Sequence, residues 1–427
     1  MRLPSVSQGA LRLERWISIA ALALMSVLPL VEIAGRKLAG GGIPGSIPVV
    51  QHLTLWITFL GAALAANSDR LLALSTGTFL PDRWQSRVRL LTCACGAAVS
   101  GCLMVASYDL VAVEREAGDI IGWKIPAWVA VSIMPLGYGL IAGRMIWRSS
   151  EKWMGRAAAA AGLSVPLLVF LYKDATPTGM LLPGSLVLLA VTALGMPIFA
   201  ALGGAALLFF WGNGVPLAAV PSETYRLSAS PMLPAIPLFT LGGYILSEGG
   251  ASRRLMRTFT ALVGWMPGGL AVVTTLLLAF FTPFTGASGV TILSMGGLLL
   301  PMLVKARYPE PTSVGLVTVS GSIGLLFPPS LPVILYGIYA QTPIDRLFIA
   351  GLIPGLLLVV VVAGWGAWRG WAAGAARTPF SGRELAAATW DAKWELLLPV
   401  VVLAGIFGGF ATLVEAAALT VLYALAV

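Results

Sequence analysis

Histidine, cysteine and charge are all scarce in this sequence. His52 is the only histidine among 427 residues, so no His-based catalytic triad with duplicated metal ligands can be built. No Gly-Lys pair occurs anywhere, which excludes a Walker A phosphate loop and ATP hydrolysis with it. The three cysteines, Cys93, Cys95 and Cys102, share the run LLTCACGAAVSGCLMVASY. Cys-X-Cys with no His or second pair nearby is a poor zinc pattern; these read as small side chains buried in a helix. Charged residues make up 11% of the chain and hydrophobic ones 58%, against about 25% charged in an ordinary soluble domain. With a mean hydropathy of +0.90, the chain is solvated mainly by lipid. The net charge of +9 comes from Lys and Arg scattered at the ends of apolar runs. They form no stripe or aromatic-interleaved patch, so nucleic acid is not a partner.

Apolar runs near 16–35, 49–66, 89–108 and 126–147 are each about the 20 residues that a spanning helix needs. His52, inside the second run, reads as a hydrogen-bonded interior or interfacial residue. Arg2, Arg12 and Arg15 precede the first run, Arg70, Arg83, Arg87 and Arg89 follow the second, and Arg144, Arg148, Lys152 and Arg156 follow the fourth. Since cytoplasmic loops collect Lys and Arg, this alternation puts the N-terminus and the stretch near 150 in the cytoplasm. Arg36 and Lys37 fall on the other side. The basic opening lacks a clear small-residue cleavage site, so the first run reads as an uncleaved anchor. Glu32 and Arg36, four residues apart, predict an intrahelical pair. Residues 157–172 are apolar but short. The longer run 180–212 is interrupted at Gly195-Met196-Pro197, giving two helices or one kinked helix. Four prolines punctuate the less hydrophobic stretch at 221–265, which reads as short tilted or amphipathic helices, a bracing arm near the interface. Pro343 and Asp345 suit the first turn of a helix.

Two further runs are broken at membrane depth. FTPFTGASGVTILSMGG separates two apolar arms of roughly 14 and 15 residues within 268–305, each short of a comfortable crossing. In hydrocarbon, unpaired backbone groups cost several kcal/mol each, so non-helical backbone is tolerated only inside protein or beside a wet cavity. A re-entrant hairpin fits better than two crossings. Its tip offers carbonyls, the hydroxyls of Thr285, Ser288 and Thr291, and a helix N-terminus. Carbonyls and hydroxyls suit sodium, and a helix N-terminus suits a carboxylate. About 40 residues on, VGLVTVSGSIGLLFPPSLPVILYGIYA places Ser320, Gly321, Ser322 and Gly324 before Pro328-Pro329-Ser330. The double proline removes two backbone donors and breaks the helix. Two such elements in one chain point to a transporter binding site. An acid in an apolar run, such as Glu415, is a functional candidate by default, with helix capping the competing role.

On these motifs the chain resembles the membrane component of the tripartite ATP-independent periplasmic (TRAP) transporters, with small and large permease subunits fused. LERWISIAALALMSVLPLVEIAGRKL and IPGSIPVVQHLTLWITFLGAALAA carry the small-subunit likeness. LGMPIFAALG, LPAIPLFTLGGYIL, FTGASGVTI, GSIGLLFPPSLPVILYG, LFIAGLIPGLLL and LLLPVVVLAGIFGGFATLVEAAALTVLYAL carry the sharper large-subunit likeness. The resemblance implies an all-α polytopic helical membrane protein of the ion-transporter superfamily, elevator-type, with a re-entrant hairpin and discontinuous helices. Residues 1–156 would form a small-permease-like four-helix membrane domain and 157–179 a connecting helix and linker. Residues 180–427 would form the N-terminal half of the large permease, with scaffold arm helices at about 221–265, a hairpin at about 268–305 and a broken helix at about 311–340. The implied activity is sodium-coupled uptake of an organic acid, such as a dicarboxylate, across the bacterial inner membrane. A periplasmic binding protein would deliver the solute, sodium would be the coupling ion, and no other cofactor is implied. Carried over position by position, Gly286, Ala287, Ser288, Gly289, Thr291, Gly321, Ser322, Gly324 and Pro328 would contribute to a sodium site. Ser288, Pro329 and Ser330 would face the substrate.

The sequence departs from that family in two ways. Ala287 and Gly289 stand where the tip is commonly richer in serine, which shifts the donor set toward backbone carbonyls. Only the first of two inverted repeats is found before the chain stops at EAAALTVLYALAV; either the sequence is truncated or another polypeptide supplies the second half, and these residues alone should not transport. Two other classes compete. A scaffold subunit or channel-like pore would lack coupled transport, and a pore needs a continuous polar path where this sequence offers isolated breaks. A membrane enzyme would need the histidines and paired intramembrane carboxylates that are scarce here.

Overall fold

The computed structural model describes residues 8–38, 40–171 and 178–427. By internal contacts the chain divides into two units, residues 1–24 with 44–229 and residues 25–43 with 230–427. Among the described residues, six helices are long and apolar enough to cross a bilayer, or seven if one bent pair counts as a span. Arg2 and the 172–177 part of the connecting segment lie outside the described residues.

The first unit takes the start of α1 (Gln8–Leu38), then α2 (Ser46–Asn67), α3 (Asp82–Ala117), α4 (Ala127–Val131), α5 (Ile133–Ser149), α6 (Trp153–Ala160), α7 (Ser164–Leu171), α8 (Leu181–Ala193), α9 (Ile198–Gly212) and α10 (Ala219–Ser228). At 36 residues, α3 is about 54 Å long, well beyond the ~30 Å hydrocarbon core. Its charged ends therefore reach past the apolar window. Leu103 and Leu110 at its middle share a buried cluster with Leu55, Phe59, Met134 and Tyr138. Phe59 and Tyr138 meet edge-on with centroids 4.9 Å apart. The buried Ser100 and Ser107 hydroxyls donate to the Gly96 and Leu103 carbonyls of their own helix at 2.8 and 2.6 Å, which leaves neither hydroxyl an unmet donor in the apolar interior. His52 lies 2.7 Å from the Pro48 carbonyl and 2.9 Å from the Tyr225 hydroxyl, a hydrogen-bonded interior residue as expected. The run 180–212 forms two helices. Pro197 has no N–H to continue a helix, and the break is held where Ile198 N–H donates to the Leu72 carbonyl at 2.9 Å.

The second unit holds the end of α1, then α11 (Ala235–Glu248), α12 (Ala251–Val263), α13 (Gly269–Thr285), α14 (Ser288–Lys305), α15 (Glu310–Ile323), α16 (Leu331–Tyr339), α17 (Ile344–Ala372), α18 (Gly382–Asp391), α19 (Lys393–Phe407) and α20 (Leu413–Ala426). Asp345 falls in the first turn of α17, just after Pro343 at its N-cap. The buried centre is α13, against which α11, α12, α14, α15 and α17 all pack. The amphipathic α12 is tied to α18 by Arg257, which reaches Glu384 at 2.6 Å and Asp391 at 2.5 Å. The Arg257 guanidinium holds the Glu384 carboxyl below the usual carboxylate range.

The expected Glu32–Arg36 pair does not form. Arg36 pairs with Glu415 instead, and Glu32 accepts from the Ile43 N–H at 2.8 Å. A partner from across the fold displaces the neighbour one turn away, because a Glu–Arg pair along a helix gains only about 0.2–0.5 kcal/mol. Glu415 has a second task. Its carboxylate accepts from the Thr412 N–H at 2.7 Å while the Thr412 hydroxyl accepts from the Glu415 N–H at 3.3 Å, a capping box that satisfies two end donors of α20. Thr412→Ala should therefore lower stability by about 1 kcal/mol, read as a lower thermal midpoint in detergent; an unchanged midpoint would show the cap to be idle.

Candidate functional site: two broken helices meet

The interruption at 286–287 is a sharp two-residue break. Gly286 takes φ +72° and ψ −3°, and Ala287 is extended at φ −142° and ψ 123°. Gly286 ends α13 as a left-handed residue, its N–H donating to the Thr282 carbonyl at 2.9 Å, and only glycine does this without steric cost. Ala287 then caps α14, its carbonyl accepting from the Thr291 N–H at 3.2 Å. The hydroxyls of Thr285 and Thr291, both buried, bond to each other across the turn. No continuous rod runs through Pro283 to Gly289. The arms are 17 and 18 residues long, and α14 alone is long and apolar enough to cross.

The second break bends the chain by 43° between 310–326 and 331–339. After α15, one 3₁₀ turn (Gly324–Leu326) gives way to extended backbone at Phe327, a cis Pro328–Pro329 bond, and Ser330 at the N-cap of α16. Pro328, Pro329 and Ser330 are buried. The Ser330 hydroxyl donates to the Leu325 carbonyl, spanning the gap that the prolines open.

These breaks lie against each other. A Cβ on Gly286 would fall 1.9 Å from the Leu331 side chain, so the starts of α14 and α16 are adjacent. A Cβ on Gly324 would lie 2.5 Å from Cβ of Thr282 and 3.1 Å from the Ala279 carbonyl, so the end of α15 rests on the last turns of α13. One on Gly321 would meet the Ile292 side chain at 2.6 Å and the Ser288 carbonyl at 3.7 Å. Two helix N-termini and two helix C-termini thus converge, the first pair carrying partial positive charge and the second partial negative. Of the residues singled out in the sequence, Gly286, Thr291, Gly321, Gly324 and the Pro328–Ser330 segment are buried in this junction. Ser288 is half-buried, while Ala287 and Gly289 are exposed. Ser322 is exposed and its hydroxyl donates to the Thr318 carbonyl of its own helix at 3.2 Å.

Three contributors went unrecognised in the sequence. Thr275 and Thr282, seven residues apart on one face of α13, are fully buried; the Thr275 hydroxyl lies 3.2 Å from that of Ser320 on α15. Gly243 on α11 lies directly against the hairpin, where a Cβ would come 2.3 Å from the Phe284 carbonyl oxygen. The seven-residue threonine spacing was a usable signal; the Gly242-Gly243 pair was visible but did not say what approaches it.

The sequence profile described as "Tripartite ATP-independent periplasmic transporter, DctM component" matches residues 185–427, more than half the chain. The chain belongs to the TRAP transporter permease family. The profile of the DctQ component of these transporters matches residues 25–155, so TRAP small- and large-permease sequences lie fused in one polypeptide. Among its relatives, the isethionate TRAP transporter permease protein DctMQ of Oleidesulfovibrio alaskensis is 30% identical over 395 residues, covering 88% of this chain and 61% of that protein. The C4-dicarboxylate TRAP transporter large permease protein DctM of Vibrio cholerae is 32% identical over 243 residues, 56% of this chain and 53% of that one. The ectoine TRAP transporter large permease protein TeaC of Halomonas elongata is 34% identical over 241 residues, 56% of each chain. The chain thus spans between about half and three-fifths of the length of these TRAP relatives. They are transporter permeases rather than enzymes, and family and apolar helices together make this a multi-pass protein of the bacterial inner membrane.

Proposed function

We propose that this TRAP permease chain takes part in sodium-coupled uptake of a small organic acid, received from a periplasmic binding protein. The observation that carries the reading is the junction of four helix ends at 285–289 and 324–331. Its donors are uncharged oxygens: the hydroxyls of Thr282, Thr285, Thr291 and Ser330, and the carbonyls around the breaks. Such a set suits a hard monovalent cation, as in other transporters where unwound backbone binds sodium at mid-membrane. Gly286, Ala287, Ser288, Gly289, Thr291, Gly321, Ser322, Gly324 and Pro328 are the proposed sodium residues. The paired N-termini of α14 and α16 would meet the carboxylate or sulfonate of the solute, with Ser288, Pro329 and Ser330 beside it. The names of the relatives, spanning C4-dicarboxylate, isethionate and ectoine, support a small acidic or zwitterionic solute. The basic loops after α2 and α5 support a cytoplasmic N-terminus.

Two measurements test this. Replacing potassium by sodium at fixed ionic strength should raise the thermal midpoint of the purified chain, since a ligand that binds only the folded state stabilises it. In proteoliposomes carrying the assembled transporter, Ser288→Ala should cut sodium-dependent uptake about fivefold, the worth of one neutral hydrogen bond, with assembly unchanged. A midpoint indifferent to the cation, together with normal uptake by the variant, would remove the site from this junction.

A further inference from the structure

In the first unit, remote from the broken helices in sequence, a cavity of about 280 Å³ opens where α2 and α5 end and the third turn of α3 passes. Its wall mixes the polar Arg89, Arg148, Asp69, Gln85 and Thr92 with the apolar Leu71, Leu74, Met145 and Leu194. Arg89 is already committed to Asp69 at 3.3 Å. Gln85 donates to the Leu80 carbonyl and the Asp82 carboxylate at 3.0 and 3.1 Å. Arg148 is different. It is half-buried, and among the described residues it has no hydrogen-bond or ion-pair partner. Its guanidinium lines the cavity without a protein acceptor among these residues, so it is free to take an anion from outside the protein.

We propose that this cavity binds the phosphodiester headgroup of a membrane phospholipid, with Arg148 as its principal donor. Four observations point there. The cavity has one uncompensated positive charge, since Arg89 and Asp69 cancel, which matches a single phosphodiester. Its mixed wall suits an amphiphile, the leucines taking the glycerol backbone and first methylenes. Its volume is below the range of about 300–1,000 Å³ typical of whole-ligand pockets, too small for acyl chains but sufficient for a headgroup. It lies at the ends of apolar helices flanked by Arg83, Arg87, Lys152 and Arg156, the level at which headgroups sit and where basic pockets between spanning helices recognise them.

Native mass spectrometry of the full chain in detergent tests the assignment, with phosphatidylglycerol, dioleoylglycerol and inorganic phosphate as separate probes. The chain should retain one phosphatidylglycerol and no dioleoylglycerol. Arg148→Gln should weaken retention about tenfold, the worth of a charge-assisted hydrogen bond; Arg148→Lys should restore part of it, and Arg87→Gln, outside the cavity, should leave it unchanged. Leu74→Trp, which fills the cavity without altering charge, should also abolish retention and stands in if Arg148→Gln fails to fold. Equal retention by Arg148→Gln and wild type would overturn the proposal, as would retention of dioleoylglycerol. Arg148-dependent binding of inorganic phosphate without any lipid would assign the cavity to a free anion and overturn the lipid source.

Discussion

Glu14→Ala should lower the unfolding free energy by about 3–5 kcal/mol, the usual cost of stranding one member of a buried ion pair. Glu14 lies near the start of α1 and meets Arg144 on α5, both carboxylate oxygens accepting from Nη2 at 2.5 and 2.7 Å. The Arg144 side chain is 5% exposed and that of Glu14 12%. Removing Glu14 would leave the arginine charged, buried and without a fallback, because its Nη1 is already buried with no partner among the described residues. The expected result is a sharp fall in the thermal midpoint in detergent, and loss of much of the folded yield. A second variant separates this from loss of packing. Glu14→Met with Arg144→Met removes both charges and keeps the volume, and should return stability to near the wild-type value, since apolar replacement of a buried pair is often neutral or stabilising. If Glu14→Ala melts with the wild type, the pair is solvated and α1 is held to α5 by its apolar face alone.

How much of this was legible in the residues depends on the range of the physics involved. The breaks at 286–287 and 327–330 could be read directly, because glycine, serine and paired proline inside an apolar run contradict a spanning helix whatever surrounds them. The end of α13 and the start of α14 fell within the stretch that the tip motif marked. The two-helix division of 180–212 was one of two open readings, decided by a contact with the loop at Leu72 that no local rule contains. Long-range pairings were hidden for the same reason. Glu32 looked like the partner of Arg36 because it stood one turn away, whereas Glu415 takes that role from the far end of the sequence. Nor does any local pattern reveal that Gly286 abuts Leu331 or that Thr282 abuts Gly324. Those approaches turn two separate helix interruptions into one junction, and they follow from how α13, α15 and α16 pack.

Gly243→Ala and Gly289→Ala, the same change at two glycines flanking one junction, should have opposite consequences. On α11, a Cβ at position 243 would lie 2.3 Å from the Phe284 carbonyl oxygen, 2.5 Å from its carbon and 2.8 Å from the Thr285 nitrogen. Every one of those atoms is backbone, so no rotamer change relieves the overlap; α11 and the end of α13 must separate by about 1 Å to reach ordinary van der Waals distance. Overpacking of this kind costs about 1–3 kcal/mol. It falls on the turn where Thr285 bonds Thr291, so the sodium-dependent rise in thermal midpoint should disappear along with the lost stability. Position 289 is the reverse case. It lies in the first turn of α14, where an added Cβ would meet nothing within 4 Å, and alanine there should be neutral or stabilise by up to about 0.5–1 kcal/mol through reduced backbone freedom. Thermal midpoints of both variants, taken in sodium and in potassium, decide the matter. Equal stability would mean that α11 does not press on the hairpin backbone. If Gly243→Ala were destabilised yet kept its full sodium response, the turn at Gly286 would not depend on α11, and the cation would be held by the second break alone.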